Sequence, residues 1–210
     1  MDGKPLRLIA ATDTALGIGR DGRLPWHLPN EFDRFLSRVT AVSGPGKRNL
    51  LIWGRHSAVR PSQPLPNCHR VCLSRNLSCV PPGADHLCRD FASAVQLAYL
   101  PPLSDHIETI WVLGGTHVYQ ETFNRTRASA VAEAPIIHFL SQLQEALKHP
   151  NCDQIYLTNI MADFNCDTFF PEFDRETFRL LEEFPGIPSE IQEENGIKYK
   201  FQVFQKVTSQ

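Results

Sequence analysis

One acidic residue, Glu31, follows a rigid aromatic turn and has the clearest potential for acid–base chemistry in this chain. The apolar segment Leu6–Ala11 leads through a glycine-rich loop and Leu24-Pro25-Trp26 into a predicted helix, and Glu31 lies in the first turn of that helix. A first-turn carboxylate is often solvent-exposed and simply favoured by the helix dipole. Here the loop and the aromatic turn could cover it and exclude water. Burial would then raise its pKa and let it hold a proton near neutral pH.

Three predicted strand ends carry groups suited to phosphate. Backbone N–H groups at a helix start, glycines that allow close approach, and arginines typically bind phosphate. They occur in Gly54-Arg55-His56-Ser57, in Ser74-Arg75-Asn76 with Arg89 further on, and in Gly114-Gly115-Thr116-His117-Val118-Tyr119. One such turn is ordinary loop chemistry, but three at one sheet edge favour a dinucleotide across the carboxyl ends of the strands. The arginines favour the 2′-phosphate of NADPH over NADH.

Two other kinds of site find no support. Gly17-Ile18-Gly19 is not part of a Gly-x-Gly-x-x-Gly sequence between a strand and a helix, so an ordinary Rossmann dehydrogenase is not expected. The six cysteines contain no Cys-x-x-Cys pair and match no zinc spacing. We therefore predict no metal site and expect reduced, mostly buried thiols.

The elements that must position these residues follow an alternating pattern. Helices are predicted over Glu31–Thr40, Phe91–Leu100 and His117–Asn124. Alternation of strands and helices predicts an α/β fold with a mostly parallel sheet, flanked by helices and ending in an antiparallel C-terminal hairpin. Strands are predicted over Leu6–Ala11, Asn49–Trp53, Arg70–Ser74, Thr109–Leu113, Gln154–Ile160, Phe178–Phe184 and Lys198–Val207.

Residues 125–148 do not fit this compact alternation. A polar-to-alanine-rich stretch precedes apolar residues that recur at helical spacing, namely Ile136, Phe139, Leu140, Leu143 and Leu147. We expect an inserted linker with an amphipathic helix, remote from the chemistry. A helix that binds a partner or a second copy is the alternative. The rest of the 210-residue chain is predicted to be one domain, 1–210.

The composition excludes several classes of partner. A formal net charge of −2 gives no basic surface for nucleic acid or anionic membranes. No apolar run approaches the ~20 residues needed to cross a bilayer. The N-terminal residues lead directly into a strand, so no signal peptide is expected and a cytoplasmic protein is predicted.

The chain resembles dihydrofolate reductases in five blocks that span most of its length. These are Leu16–Phe35, Asn49–Ser57, Pro64–Arg75, Ile110–Asn124 and Gln154–Pro171, and the ending Glu193–Phe201 is similar to animal members in particular. The resemblance implies a single-domain dihydrofolate-reductase-like mixed sheet. It also implies NADPH-dependent reduction of dihydrofolate, with hydride reaching pterin C6 and a proton reaching N5. Dihydrofolate and antifolate inhibitors are the implied ligands, and a monomer is expected.

The resemblance also assigns roles to individual residues. Glu31 would bind the pterin amino group and ring nitrogen, with Thr158 in support, while Trp26 would hold a water and Thr12–Leu28 would form a closing loop. Leu24 would complete the catalytic group. The implied substrate-binding residues are Ile9, Ala10, Ala11, Glu31, Phe32, Phe35, Ser57, Leu65, Leu113, Tyr119 and Thr158.

The implied cofactor site is larger and includes a Gly114-Gly115 bond expected to be cis. Its members lie in the loop after the first strand and at the three strand ends described above. They are Ala11, Gly17, Ile18, Gly19, Arg20, Asp21, Gly22, Arg23, Arg55, His56, Ser57, Ser74, Arg75, Asn76, Arg89, Gly114, Gly115, Thr116, His117, Val118, Tyr119 and Glu121.

The sequence departs from the family pattern at the substrate's tail. Cys68 stands where the family has an arginine that binds the α-carboxylate of the substrate's glutamate, and a thiol cannot replace a guanidinium fork. Arg70, Arg60 and His69 are nearby cations that could compensate. Without compensation, folate binding would weaken by roughly 2–5 kcal/mol. A second departure is Ala58, where the family usually has tryptophan.

Two other functions remain open from the sequence alone. One is a reductase that acts on a pterin or related heterocycle without a glutamate tail, which only Cys68 supports. The other is a catalytically weak relative that binds a ligand, RNA or protein through residues 125–148. Retention of Glu31, Trp26 and Thr158 argues against the second alternative.

Overall fold

The computed structural model describes residues 3–54, 65–114 and 142–207. The helices of these residues are α1 (Pro29–Thr40), α2 (Phe91–Leu97) and α3, residues 142–148. The strands are β1 (Leu6–Thr12), β2 (Gly17–Gly19), β3 (Arg48–Gly54), β4 (Cys68–Leu73), β5 (His86–Cys88), β6 (Ile107–Gly114), β7 (Cys152–Ile160), β8 (Thr168–Phe169), β9 (Phe178–Leu181), β10 (Gln192–Glu194) and β11 (Ile197–Lys206).

One nine-stranded sheet positions the candidate site. Its order is β10-β11-β7-β1-β6-β3-β4-β5, with β9 also paired to β11. The strands from β7 to β5 pair in parallel, whereas β11 is antiparallel to β7, β9 and β10. The predicted α/β class and the antiparallel C-terminal strand are confirmed.

The C-terminal hairpin differs from the prediction. β9 pairs with β11 but is separated from it along the chain by β10, and the hairpin joins β10 to β11. Its turn residues Asn195 and Gly196 both have positive φ, 53° and 74°. An Asn-Gly pair with this geometry is typical of a two-residue hairpin turn. The sequence contains this signal, so the hairpin was predictable from it.

Alternate residues of the central strands face two different cores. Leu8 and Ala10 pack in the larger core with Ile155, whereas Ile9 packs on the opposite face with Tyr156, beneath α1. This alternation follows from the two-residue period of a strand. Both faces are covered, which explains why the central strands read as nearly continuous apolar runs.

The helix α1 begins where the sequence has a proline. Pro29 occupies the first turn, where its missing N–H is not needed and its fixed φ suits a helix. Phe35 and Val39 are buried against the sheet, one turn apart. This packing brings the first turn of α1 over the centre of the sheet.

Two predicted helices have different outcomes. The helix predicted over Phe91–Leu100 ends at Leu97, because Ala98 and Tyr99 donate to carbonyls three residues back and Pro101 follows. The helix predicted over 117–124 lies outside the described residues. In the insertion, residues 142–148 are helical, with Leu143 and Ala146 buried in the larger core.

Candidate functional site

Glu31 is a buried acid held by a threonine from the neighbouring sheet. Only 6% of Glu31 is exposed, and Thr158 Oγ1 on β7 donates to Glu31 Oε1 at 2.6 Å. Thr158 is fixed between its partners in the sheet, Ala11 on β1 and Phe201 on β11. Burial raises the pKa of Glu31 to about 7, although the Thr158 hydrogen bond opposes this shift. The carboxyl group can therefore gain or lose a proton near neutral pH.

Glu194 caps the helix that carries Glu31, a role that the sequence analysis did not find. The residue before α1, Leu28, offers no side-chain cap, and Glu194 accepts from Asn30 N at 2.9 Å and from Glu31 N at 3.4 Å. Its negative charge also contributes to the raised pKa of Glu31. Glu194 lies 163 residues from Glu31 along the chain, so no local pattern marks it.

Trp26 and Leu24 belong to a small apolar cluster around Ala11, the β1 neighbour of Thr158. Trp26 is buried and packs edge-to-face on Phe164, with ring centroids 5.3 Å apart. The same cluster includes Ala11 on β1, with Leu24 packed against it. These rings reduce the access of water to the region around Glu31, which strengthens electrostatic interactions there.

The loop before Trp26 is braced by Asp13. Asp13 Oδ1 accepts from Ala15 N and Gly17 N at 2.9 and 2.7 Å, and its Oδ2 accepts from Phe164 N at 3.3 Å. Burial would raise the pKa of Asp13, but these hydrogen bonds outweigh it and lower the pKa overall. A side chain at Gly17 would place its Cβ 2.6 Å from Cys166 Sγ, so this position requires glycine.

The predicted substrate pocket has an apolar wall on the α1 face of the sheet. Ile9 and Leu113 are buried there with Phe35, and Phe32 stacks on Phe35 with ring centroids 5.5 Å apart. Leu65 packs against the same cluster. The Ala10 side chain instead belongs to the core on the opposite face, so only its backbone can reach the pocket. Ser57 and Tyr119 lie outside the described residues.

The strands that precede the predicted phosphate-binding turns end at one edge of the sheet. The neighbouring parallel strands β6, β3 and β4 end at Gly114, Gly54 and Leu73, the last just before Ser74. The other predicted cofactor residues at these ends lie outside the described residues. These are Arg55, His56, Ser57, Gly115, Thr116, His117, Val118, Tyr119 and Glu121, so the expected cis bond at Gly114-Gly115 also stays a prediction.

The turn after β4 is preformed around two arginines. Ser74 Oγ accepts from Asn76 N and Leu77 N at 3.3 Å, and Arg89 donates to the carbonyls of Ser74 and Arg75 at 3.2 and 2.7 Å. Arg75 is exposed and forms no ion pair with any carboxylate that the structure describes. An unpaired guanidinium beside a second arginine fits a phosphate group.

The structure also describes the glycine-rich loop, residues 17–23, which precedes α1 in the chain. Gly17 and Gly19 pair with β8, and Asp167 on the same segment accepts from Asp21 N at 2.7 Å. Arg20 and Arg23 close a turn through two backbone hydrogen bonds of 2.9 Å, with Gly22 at φ 69° between them. The predicted loop residues Ile18, Asp21 and Gly22 thus belong to an ordered hairpin-like segment.

Cys68, at the position of the family's tail-binding arginine, is a neutral thiol. It is buried at the start of β4, and its Sγ lies 3.5 Å from the carbonyl of Val39 on α1. Burial raises the pKa of this thiol to about 12. It therefore provides neither a positive charge nor a fork of donors.

The nearby cation Arg70 is occupied by another residue. Its guanidinium contacts both carboxylate oxygens of Asp85, at 3.1 and 3.2 Å, and its backbone N–H donates to the same carboxylate. Burial, Arg48 and His86 lower the pKa of His69, which favours its neutral form. Arg60 lies outside the described residues. Neither Arg70 nor His69 therefore supplies a free charge to replace the missing arginine.

Searches for other kinds of site give no result within the described ranges 3–54, 65–114 and 142–207. These residues contain no cluster of His, Cys, Asp or Glu that could hold a metal ion. No described helix is long and apolar enough to span a membrane. The six cysteines all lie in these ranges, and none of them forms a disulfide.

Comparison with known proteins gives one consistent result. The family model described as dihydrofolate reductase matches residues 5–136 and 143–206. The dihydrofolate reductase of Rattus norvegicus is 39% identical over 207 residues, which cover 97% of this chain and 98% of that protein. The corresponding protein of Sus scrofa is 37% identical with the same coverage.

A viral relative and a solved structure agree with this result. The viral dihydrofolate reductase of Saimiriine herpesvirus 2 is 35% identical, covering 97% of this chain and 86% of the viral protein. The structure of Schistosoma mansoni dihydrofolate reductase superposes with a TM-score of 0.75 at 25% identity, covering 98% of this chain and all of that one.

Proposed function

Because the chain belongs to the dihydrofolate reductase family, we propose that it reduces 7,8-dihydrofolate to 5,6,7,8-tetrahydrofolate and so supplies one-carbon metabolism. The observation that carries this proposal is the buried Glu31–Thr158 pair, with its carboxyl pKa of about 7. The family's general use of NADPH fits the described edge of the sheet, where Arg75 is unpaired and Arg89 braces the turn. Comparison with full-length relatives does not favour a reductase for tailless pterins.

Glu31 has two roles in the proposed mechanism. Its carboxylate binds the pterin amino group and ring nitrogen, which orients the ring against Ile9, Phe32 and Leu113. In its protonated form it also keeps a proton available for pterin N5, with ordered water beside Trp26 as the path. Thr158 fixes the position of the carboxyl group by donating to its Oε1.

The proposed cofactor NADPH supplies the hydride for pterin C6 when it is bound. Arg75, Asn76 and Arg89 would hold its 2′-phosphate end, and the Gly17–Arg23 segment would cover it. The proposed reaction balances as dihydrofolate, NADPH and one proton giving tetrahydrofolate and NADP⁺. The remaining contribution of the chain is to align the ligands and exclude bulk water.

The test is the loss of NADPH absorbance with purified protein and dihydrofolate. Turnover that is abolished by a 2,4-diaminopteridine antifolate supports the proposal.

Two substitutions at Thr158 test the role of its hydroxyl group in the same assay. Thr158→Val removes a hydrogen bond to a charged group and should lower kcat/KM about tenfold or more, whereas Thr158→Ser keeps the hydroxyl and should retain most activity. Absence of turnover by a folded protein that binds NADPH would contradict the proposal and favour a non-catalytic relative.

Two further properties are proposed. Six free thiols suit a reducing compartment, so we propose a cytoplasmic location. A monomer is proposed because both faces of the central sheet are covered by the chain's own described residues. Cell fractionation and sedimentation measurements test these two properties.

A further inference from the structure

A cavity lies against the helix α1 and borders the predicted pterin pocket at Ile9, Glu31, Phe35 and Thr158. Its volume is about 380 Å³. It is bounded by α1, by the adjacent parts of β7 and β11, and by residues 186–188. Its apolar lining includes Phe35, Tyr156, Ile187, Pro188 and Phe201. A volume of this size is sufficient for a small organic ligand.

The helix itself separates this cavity from the pterin pocket. Successive helix residues are about 100° apart, so Arg34, Ser37, Arg38 and Ala41 project from one side and Phe32, Leu36 and Val39 from another. The first set lines the cavity, whereas the second set does not. Glu31 and Phe35 lie at the boundary and contribute to both sides.

Two arginines at the cavity have stacking partners but no acidic partner. The Arg34 guanidinium lies 5.7 Å from the centre of the Phe201 ring, and that of Arg38 lies 5.5 Å from Tyr156 and 5.9 Å from Phe184. Neither forms an ion pair with any carboxylate that the structure describes. Arg38 also approaches the carbonyl of Gly186 at 3.5 Å. Stacking on rings holds both guanidinium groups in place while leaving donors available.

We propose that this cavity binds a small aromatic anion, with its ring on the apolar floor and its carboxylate or sulfonate between Arg34 and Arg38. The aromatic body matches Tyr156, Phe201 and Pro188, and the negative charge matches two unpaired guanidinium groups. Among the described residues that line the cavity, Glu31 is the only acidic one. A neutral molecule would leave both cations without a partner.

The position of Glu31 couples this site to the reaction. Glu31 and Thr158 line the cavity and also form the pair on which the proposed chemistry depends. A bound anion one helical turn from Glu31 disfavours its charged form, which raises its pKa further. By thermodynamic linkage, protonation of Glu31 then strengthens binding of the anion.

The test uses 2-naphthoate as the probe and isothermal titration calorimetry with the full-length protein. The matched neutral probe is 2-naphthamide, which has the same ring but no charge. We expect the naphthoate to bind about tenfold more tightly than the amide, and to lose about tenfold or more in affinity in the Arg34→Gln/Arg38→Gln double variant. Arg179→Gln is the control, because Arg179 is exposed on β9 and does not line the cavity.

A second arm locates the probe. The titration is repeated with the protein saturated by a 2,4-diaminopteridine antifolate, which favours the charged form of Glu31, so the naphthoate affinity should fall by up to about tenfold and then stay constant as more antifolate is added. Three results would overturn the proposal: displacement of the naphthoate by the antifolate, equal binding of acid and amide, or no effect of the double substitution. Absence of any binding at millimolar probe would overturn it as well. The calorimetry without antifolate does not require turnover. Its outcomes can therefore be interpreted even if the protein fails the reductase assay.

Discussion

The two ends of the proposed substrate site differ in the charged groups that they offer to a ligand. At the pterin end, a buried acid with a pKa of about 7 is held by Thr158 and by a helix that Glu194 caps. At the tail end, Cys68 is a neutral buried thiol and Arg70 is paired with Asp85. The chemistry is thus supported by charge and hydrogen bonds, whereas at the tail end Cys68 carries no charge and Arg70 is already paired with a carboxylate. This difference indicates that the pterin ring and the glutamate tail of the substrate are bound by independent sets of residues.

The largest expected effect is loss of the acid at the pterin end. Glu31→Gln keeps the shape but removes the proton that the carboxyl group can give, so kcat/KM for dihydrofolate should fall about 10²- to 10³-fold. The wild-type rate should decrease as the pH rises through about 7, where Glu31 loses its proton. Steady-state assays from pH 5 to 9 measure both effects. A variant that keeps the same pH midpoint would remove Glu31 from its proposed role.

The substitution Glu31→Gln should also stabilise the fold at high pH. The pKa of Glu31 is raised from 4.5 to about 7, so its contribution to stability is present below pH 4.5 and lost as the pH rises through 7. This shift corresponds to at most about 3 kcal/mol. Urea unfolding should show Glu31→Gln to be more stable than wild type at pH 8, with the difference shrinking toward pH 5. Equal unfolding free energies of wild type and Glu31→Gln at both pH values would show that ionisation of the buried Glu31 does not destabilise the fold.

Restoring an arginine at the tail end should change affinity instead of chemistry. We expect Cys68→Arg to lower KM for dihydrofolate about tenfold, with kcat nearly unchanged. A dihydropterin without the glutamate tail should show no change, and Cys68→Ser is the uncharged control.

A larger side chain at the buried Cys68 site requires a folding check by thermal denaturation. Asp85→Asn is the alternative variant, because it frees Arg70 from its only described carboxylate partner. Like Cys68→Arg, the Asp85→Asn variant should lower KM for dihydrofolate. An improvement that is equal for the tailless substrate would contradict a tail contact.

The smallest effect is expected at the cap of α1. Glu194→Gln weakens the cap on the Asn30 and Glu31 backbone N–H groups and should cost about 1 kcal/mol in unfolding free energy. It should also lower the pKa of Glu31 slightly, because the Glu194 charge raises it. Glu193→Gln is the matched control, since Glu193 is its exposed neighbour on β10. Equal unfolding free energies for the two variants would exclude the cap as a stabilising contact.

The sequence by itself determined the class of fold and the identity of the acid. The apolar runs of β3, β4, β6 and β7 indicated central strands covered on both faces, and the alternation of strands with helices predicted a mostly parallel sheet. Pro29 and the spacing of Phe35 and Val39 predicted α1. Glu31 was identified from its position after a turn that could cover it, and Cys68 was identified as a departure from the family pattern.

Only the tertiary structure decided how these residues are partnered. The cap from Glu194 and the Arg70–Asp85 pair depend on which strands become neighbours, and no local pattern encodes that choice. The short strands β2, β5, β8 and β10 were missed because two or three residues carry too little periodicity. The cavity against α1 was missed for a related reason. Arg34 and Arg38 look like solvated helix charges until β7 and β11 place aromatic rings beneath them.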